Sequence, residues 1–129
     1  QPLNMALNRV IRNYRDPLIQ LDLTYPQYIV MMELWEKDGI TIADLLEKTA
    51  IDGGAMTQIL KKMTDKSLLS IVKDENDKRK RIIKLETHGS ELRHQAAAIP
   101  DKIRCSFSHM TDQEAQQLIA LLDKVNQES

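Results

Sequence analysis

The sequence predicts a mainly α-helical fold that carries one small β-hairpin. Apolar residues recur at spacings of three or four through most of the chain, which is typical of amphipathic helices. Only four glycines and few aromatic residues are present, and this disfavours an all-β sandwich. Two short β-branched runs, "LSIV" and "RIIKL", flank a polar stretch at residues 73–80, and they predict the hairpin.

Composition indicates one domain, residues 1–129, and excludes a membrane protein. The hydrophobic fraction is 42%, yet no apolar run approaches the roughly 20 residues that a membrane span needs. We recognise no signal peptide, and one cysteine cannot form an internal disulfide. These features predict a reducing, cytoplasmic environment.

The first two helices are predicted on either side of residue 22. The first extends from about Pro2 to Leu21, and its apolar stripe repeats at helical spacing. The second begins at Thr24 as the N-cap, with Gln27 completing a capping box. We expect it to end at Gly39 in a left-handed cap. The stripe of the first helix is Leu3, Leu7, Val10, Tyr14 and Leu18.

Four further helices are predicted from their first residues. Thr41 caps the third helix and Asp52 caps the fourth. A long fifth helix follows Thr87, with Pro100 as a kink or interruption. The last helix opens with a capping box of Thr111 and Glu114. A short helix, a tight turn, a second helix and a two-stranded ribbon form the winged helix-turn-helix pattern.

Positive charge is concentrated in one segment. Residues 61–84 contain nine basic and four acidic side chains, an excess of +5 in a chain whose formal net charge is -1. The remainder of the chain therefore carries -6. Such an asymmetry is the electrostatic footprint of a phosphate-binding surface, and it predicts double-stranded DNA as a partner.

The fourth helix is the candidate recognition helix. Gly53 and Gly54 would leave its entrance bare, so that backbone N–H groups can approach a phosphate. Its outer face would meet the major groove and the flanking phosphates. An ordinary amphipathic helix with solvated lysines remains the alternative. Besides the two glycines, the predicted contacts are Ala55, Thr57, Gln58, Lys61 and Lys62, while Met56, Ile59, Leu60 and Met63 would pack inward.

The hairpin tip is the second candidate contact. Residues 78–81 are four consecutive basic residues, and we expect Arg79 to enter a minor groove, with Lys78 and Arg81 beside it. Asp77 could hold the Arg79 guanidinium by a hydrogen bond. The alternative is a solvated edge ribbon whose charges keep the protein soluble.

"DENDKRKRIIKLETHG" resembles the wing of the MarR family of bacterial transcriptional regulators. A narrower resemblance, to the organic-hydroperoxide-sensing OhrR-type branch, rests on "LTYPQY", "LWE", "DGGAMT" and the Ile99–Pro100 pair. Glu86, Met56 and Gln58 depart from the usual motifs. The resemblance implies a winged-helix homodimer, with residues 1–22 and 88–129 as dimerisation helices and residues 24–86 as the DNA-binding part.

The OhrR-type resemblance also implies a redox site. A sensing cysteine would fall immediately before Gln1, so either the sequence starts just after it or the protein has no such cysteine. The tyrosines that contact it would be Tyr14 and Tyr25, which could otherwise be packing residues. Cys105 would be either a resolving cysteine, able to condense with a sulfenic acid, or a small packing residue. Release by organic hydroperoxide is therefore the expected signal.

Other site types are not indicated. His88, His94 and His109 lack the spacing of a metal site, and we expect no cofactor. Motifs for catalytic nucleophiles or nucleotides are missing, so we do not expect an enzyme. Met31, Met32 and Trp35 could line a pocket for a phenolic ligand or could be core. A peroxide or small-molecule effector, or a protein-interaction module that never touches DNA, thus remain open alternatives.

Overall fold

The computed structural model describes residues 1–127, and contacts divide the chain into two compact units, Gln1–Ile99 and Pro100–Ser129. Seven helices and three strands occur in the described residues. In chain order they are α1 Pro2–Gln20, α2 Tyr25–Glu36, β1 Ile40–Thr41, α3 Ile42–Thr49, α4 Gly53–Asp65, β2 Leu69–Lys73, β3 Arg81–Leu85, α5 Thr87–Ala96, α6 Ile99–Ser106 and α7 Asp112–Gln127.

The predicted helix starts are confirmed by their hydrogen bonds. Thr24 and Gln27 form a reciprocal capping box, and the Thr41 hydroxyl accepts the N–H of Asp44 at 3.0 Å. The long fifth helix is interrupted, as predicted. It ends at Ala96 and resumes as α6 at Ile99, which places Pro100 in the first turn of α6.

The predicted end of the second helix is wrong by three residues. Helix α2 ends at Glu36, because Lys37 already has extended backbone angles. Gly39, with φ of 75°, shapes the turn that follows. Its N–H donates to the Ile83 carbonyl at 3.1 Å, so this glycine directs the chain into the sheet instead of capping a helix.

The ribbon is a three-stranded antiparallel sheet in the order β1-β3-β2. The predicted hairpin supplies β2 and β3, with Ile71 opposite Ile83. Strand β1 was not predicted; its Ile40 pairs with Ile83 on the other edge of β3. The Ile83 side chain is fully buried, so the central strand anchors the wing to the helical core.

The core of the first unit is built from α2, α4 and the sheet. Met56, Leu60 and Met63 are buried as predicted, whereas Ile59 is only half-buried. In the α1 stripe, Leu18 is buried but Leu3 and Leu7 are exposed. Helix α1 therefore presents an apolar face that this unit does not cover.

Gly89 allows α5 to approach the end of α4 closely. A Cβ at this position would lie 2.1 Å from the Leu68 carbonyl oxygen, a backbone atom. The Leu68 oxygen also accepts the N–H of Glu86 at 3.0 Å, and the Trp35 indole donates to the Gly89 carbonyl at 2.9 Å. These contacts join α2, α4 and α5.

We predict that Gly89→Ala lowers the free energy of unfolding by roughly 1–3 kcal/mol, because the added methyl must displace backbone. Urea denaturation of the variant and the wild type measures this difference. Gly53→Ala is the matched control, since a Cβ at Gly53 meets nothing within 4 Å. Equal stability of Gly89→Ala and wild type would contradict the close-packing assignment.

Candidate nucleic-acid interface

The entrance of α4 is held by Asp52. One carboxylate oxygen accepts the N–H groups of Gly54 and Ala55, at 3.1 and 3.2 Å. The expectation of a bare entrance must therefore be revised, because these two N–H groups already have an acceptor that carries negative charge. Gly53 lies in open space and leaves room for a ligand at the start of the helix.

The outer face of α4 carries polar and basic side chains. Five predicted contact residues are exposed along it: Ala55, Thr57, Gln58, Lys61 and Lys62. The Thr57 hydroxyl donates to the Gly53 carbonyl at 3.0 Å. Its hydrogen is therefore engaged, and its oxygen is left to accept a hydrogen bond from another donor. The opposite face is buried, which fixes the direction in which these side chains project.

The wing tip holds Arg79 in a defined position. Oδ1 of Asp77 accepts the Arg79 backbone N–H at 3.1 Å and its Nε–H at 3.2 Å. The predicted contact between Asp77 and the guanidinium is therefore present, while the Arg79 side chain remains 91% exposed. The Arg81 guanidinium donates to the Lys78 carbonyl at 2.8 Å and closes the tip.

These hydrogen bonds change the acidity of Asp77. The Arg79 backbone N–H, then its guanidinium, stabilise the carboxylate and lower the pKa of Asp77 from its ordinary value. Lys80 acts in the same direction. The Asp77–Arg79 pair therefore persists well into the acid range and dissociates only as the pH falls through the lowered pKa.

A groove joins the wing to the helix-turn-helix. It has a volume of about 320 Å³ and lies between the start of α3 and the base of the wing. Its lining residues are Thr41, Ile42, Ala43, Arg79, Lys80 and Arg81. Part of the basic wing is therefore adjacent to the first helix of the motif.

Lys66 departs from the pattern of the basic segment. Its ammonium donates to the Asp22 carbonyl at 2.6 Å and to Oε1 of Gln27 at 3.0 Å. Lys66 is one of the nine basic residues in the segment 61–84, but its ammonium contacts the junction of α1 and α2. A local sequence pattern could not reveal this contact, because the partners are 39 and 44 residues away.

One tyrosine of α1 and two of α2 form a cluster. The Tyr14 ring centroid lies 5.2 Å from that of Tyr25 and 5.8 Å from that of Tyr28. Burial, and secondly the proximity of Tyr25, raises the pKa of Tyr14 above its ordinary value. Burial also raises the pKa of Tyr28. The Tyr14 phenol therefore keeps its proton, and with it a hydrogen-bond donor, at neutral pH.

A second groove, of about 490 Å³, runs along α1 to the start of α2. Its lining is apolar apart from a few polar and cationic side chains, and consists of Asn8, Ile11, Arg12, Arg15, Leu18, Ile19, Leu23, Thr24 and Tyr25. Met31, Met32 and Trp35, the ligand-lining candidates from the sequence, are not among these. Met31 is buried core, and Trp35 binds the Gly89 carbonyl.

The remaining candidates lie elsewhere. Cys105 is an exposed free thiol on α6, in the second unit. Among residues 1–127, no cluster of three histidine, cysteine or acidic side chains could hold a metal ion. None of the described helices is both long and apolar enough to cross a membrane.

Comparison with known proteins identifies the family. The model of the SarA/Rot transcriptional regulators matches residues 14–96. The Bacillus subtilis organic hydroperoxide resistance transcriptional regulator is 30% identical over 120 residues, covering 93% of this chain and 81% of the relative. The chain belongs to the MarR/SarA family of transcriptional regulators. This MarR/SarA chain is accordingly a DNA-binding regulator and not an enzyme.

Solved structures agree with the winged-helix fold of this MarR/SarA regulator. A mutant of Escherichia coli MarR complexed with operator DNA is 26% identical, with a TM-score of 0.84, covering 95% of this chain and 89% of that one. Bordetella bronchiseptica BpsR is 23% identical, with a TM-score of 0.90, covering 98% of this chain and 91% of that one. The predicted fold class is thereby confirmed.

We predict that the Asp77 carboxyl of this MarR/SarA regulator titrates below the ordinary range, and that Arg79→Ala raises its midpoint. The variant loses the guanidinium donor but retains the backbone donor, so the midpoint should return only part of the way. Carbon-detected NMR of the carboxyl resonance measures it. Lys80→Ala removes the nearby charge that also lowers this pKa, without touching the hydrogen bond. An equal rise in both variants would show that charge alone sets the pKa.

Proposed function

We propose that the protein is a homodimeric repressor that binds a pseudo-palindromic operator and is released when an organic hydroperoxide oxidises a cysteine. One α4 from each subunit would enter successive major grooves, with the wings in the flanking minor grooves. The observation that carries the DNA-binding assignment is the pair of exposed basic elements, α4 and a wing tip on which Asp77 holds Arg79.

We assign the contacts by side-chain chemistry. Gly53, Gly54 and Ala55 allow close approach at the start of α4, and Ala55 can meet a thymine methyl. Thr57 and Gln58 offer hydrogen bonds to base edges. Lys61 and Lys62 contact phosphates and position the helix without reading sequence. At the wing, Arg79 enters the minor groove, and Lys78 and Arg81 flank it.

A second copy of the chain is proposed to cover the apolar helices. Leu3 and Ile19 of α1 are 69% and 61% exposed, and α7 contains no buried residue at all. Five large apolar side chains of α7 are exposed, namely Leu118, Ile119, Leu121, Leu122 and Val125. Monomers rarely expose such runs, so we propose residues 1–22 and 88–129 as dimerisation segments and residues 24–86 as the DNA-binding part.

The proposed signal follows from similarity to the hydroperoxide resistance regulator and from two local features. Tyr14 and Tyr25 lie in contact, and Cys105 has an exposed thiol. The hydroperoxide would oxidise a cysteine thiol of one subunit to a sulfenic acid and leave as an alcohol. The Cys105 thiol would then attack that sulfur, forming a disulfide and releasing water.

A second candidate signal is a small phenolic or aromatic acid. The groove between α1 and α2 favours it, because Arg12 and Arg15 line it together with apolar side chains and Tyr25. Such a lining suits a flat ligand with one anionic group. Binding would shift the population of dimers away from the spacing that fits DNA.

We predict that Arg79→Ala weakens binding to a selected duplex by about 1–3 kcal/mol, if Arg79 makes a sequence-selecting contact. Fluorescence anisotropy on matched and scrambled duplexes measures the loss and its sequence dependence. Lys62→Ala should instead weaken binding to both duplexes and flatten the salt dependence.

Lys37→Ala, which removes an exposed basic side chain outside α4, the wing and the proposed dimerisation segments, is the matched control and should bind like the wild type. Unchanged binding by Arg79→Ala would disprove the wing assignment. A salt-independent interaction would favour a protein-interaction module.

We predict that cumene hydroperoxide converts the natural full-length protein into a covalent dimer that dithiothreitol reverses. Intact mass spectrometry and non-reducing electrophoresis would detect it. Cys105→Ser should abolish the disulfide and leave a sulfenic acid that dimedone traps. If the full-length protein is not modified at all, the redox proposal fails. Loss of DNA binding on adding salicylate, without covalent change, would support the second candidate.

A further inference from the structure

We propose that Lys66 is a positioning residue that couples the junction of α1 and α2 to the recognition helix. This inference rests on the proposed role of α4 in binding DNA. Lys66 follows the last residue of α4 and is its C-cap, with its N–H donating to the Lys62 carbonyl at 3.1 Å. The chain then turns sharply at Ser67, whose φ is 61°.

The Lys66 ammonium contacts three oxygen atoms of this junction. It donates to the Asp22 carbonyl at 2.6 Å and to Oε1 of Gln27 at 3.0 Å, and it lies 3.6 Å from the Asp22 carboxylate. Two of these contacts are hydrogen bonds, and the third is an ion pair. The Lys66 side chain is 29% exposed, whereas Lys61 and Lys62 are exposed residues. The Lys66 ammonium therefore binds acceptors of the protein itself and does not project outward toward a phosphate.

The acceptors on the other side are themselves fixed. Asp22 has a left-handed conformation, with φ of 55°, which is unfavourable for a residue other than glycine and is held by its surroundings. Gln27 is 3% exposed, and its Oε1 also accepts the Thr24 N–H at 3.2 Å. One amide oxygen thus serves both the cap of α2 and the ammonium at the end of α4.

This junction also lines the proposed sensing region. Leu23, Thr24 and Tyr25 form one end of the groove along α1, and the Tyr25 ring contacts that of Tyr14. A change that moves the start of α2 must therefore stretch or break the bonds to Lys66. By linkage, DNA that holds α4 in place must also stabilise the start of α2.

The first test separates a positioning residue from a phosphate contact. Affinity for a duplex selected from a random pool by the wild type is measured by anisotropy against salt concentration. Lys66→Met, which keeps the length and removes the donors, should lower affinity about 5-fold or more at every salt concentration, with the slope unchanged. Lys62→Met, on the same helix, should flatten the slope by about 0.9.

The second test measures the coupling itself by hydrogen exchange. In the wild type, the duplex should protect the amides of residues 24–28, while in Lys66→Met it should not. Amides of residues 118–122 in α7 provide the internal reference. Lys66→Arg restores donors at the same place and should recover part of the protection, so a poorly folded methionine variant would not decide the question.

Two results would overturn the proposal: a flattened salt slope in Lys66→Met, or DNA-dependent protection of residues 24–28 that persists in it. If the wild type selects no duplex, the proposed function fails by itself. In that case, hydrogen exchange measured without DNA still tests the hydrogen bonds of Lys66 to Asp22 and Gln27. Faster exchange of residues 24–28 in Lys66→Met than in the wild type supports them, and equal exchange disproves them.

Discussion

The backbone hydrogen bond from Glu86 to the Leu68 carbonyl is the constraint on which the winged helix depends. It brings together the end of α4, the end of β3 and the start of α5 at a single oxygen. Gly89 leaves room for that oxygen. The indole of Trp35, a residue of α2, donates a hydrogen bond to the Gly89 carbonyl. The orientation of the wing relative to α4 is therefore determined by backbone atoms, which cannot adjust as flexible side chains do.

Electrostatics complements this rigid frame. The chain as a whole is slightly acidic, yet nine of its 18 basic residues lie in the segment 61–84, which contains the end of α4 and the wing. Two acidic side chains inside the basic segment form local hydrogen bonds. The Asp77 carboxylate accepts the Nε–H of Arg79, and the Asp74 carboxylate accepts the N–H of Asn76 at 3.0 Å. Local carboxylates thus order the tip, and the remaining charge of the segment attracts an anionic polymer.

The sequence sufficed for features encoded within a few residues. Capping boxes at Thr24 and Thr111, the hairpin and the contact between Asp77 and Arg79 depend on neighbours at most a few positions apart, and the structure contains them. Strand β1 was missed because two residues show no periodicity. The contacts of Lys66 could not be predicted because its acceptors are distant in the chain, and the predicted Gly39 cap was wrong because the N–H of that glycine donates to the sheet.

The bond between Asp77 and Arg79 has a consequence for recognition. A free arginine side chain samples many rotamers, and fixing them on association costs conformational entropy. Here Nε is already anchored, although the side chain projects almost entirely into solvent. Part of the Arg79 side chain is therefore ordered without a ligand, which would lower the entropy cost of the proposed contact with a duplex.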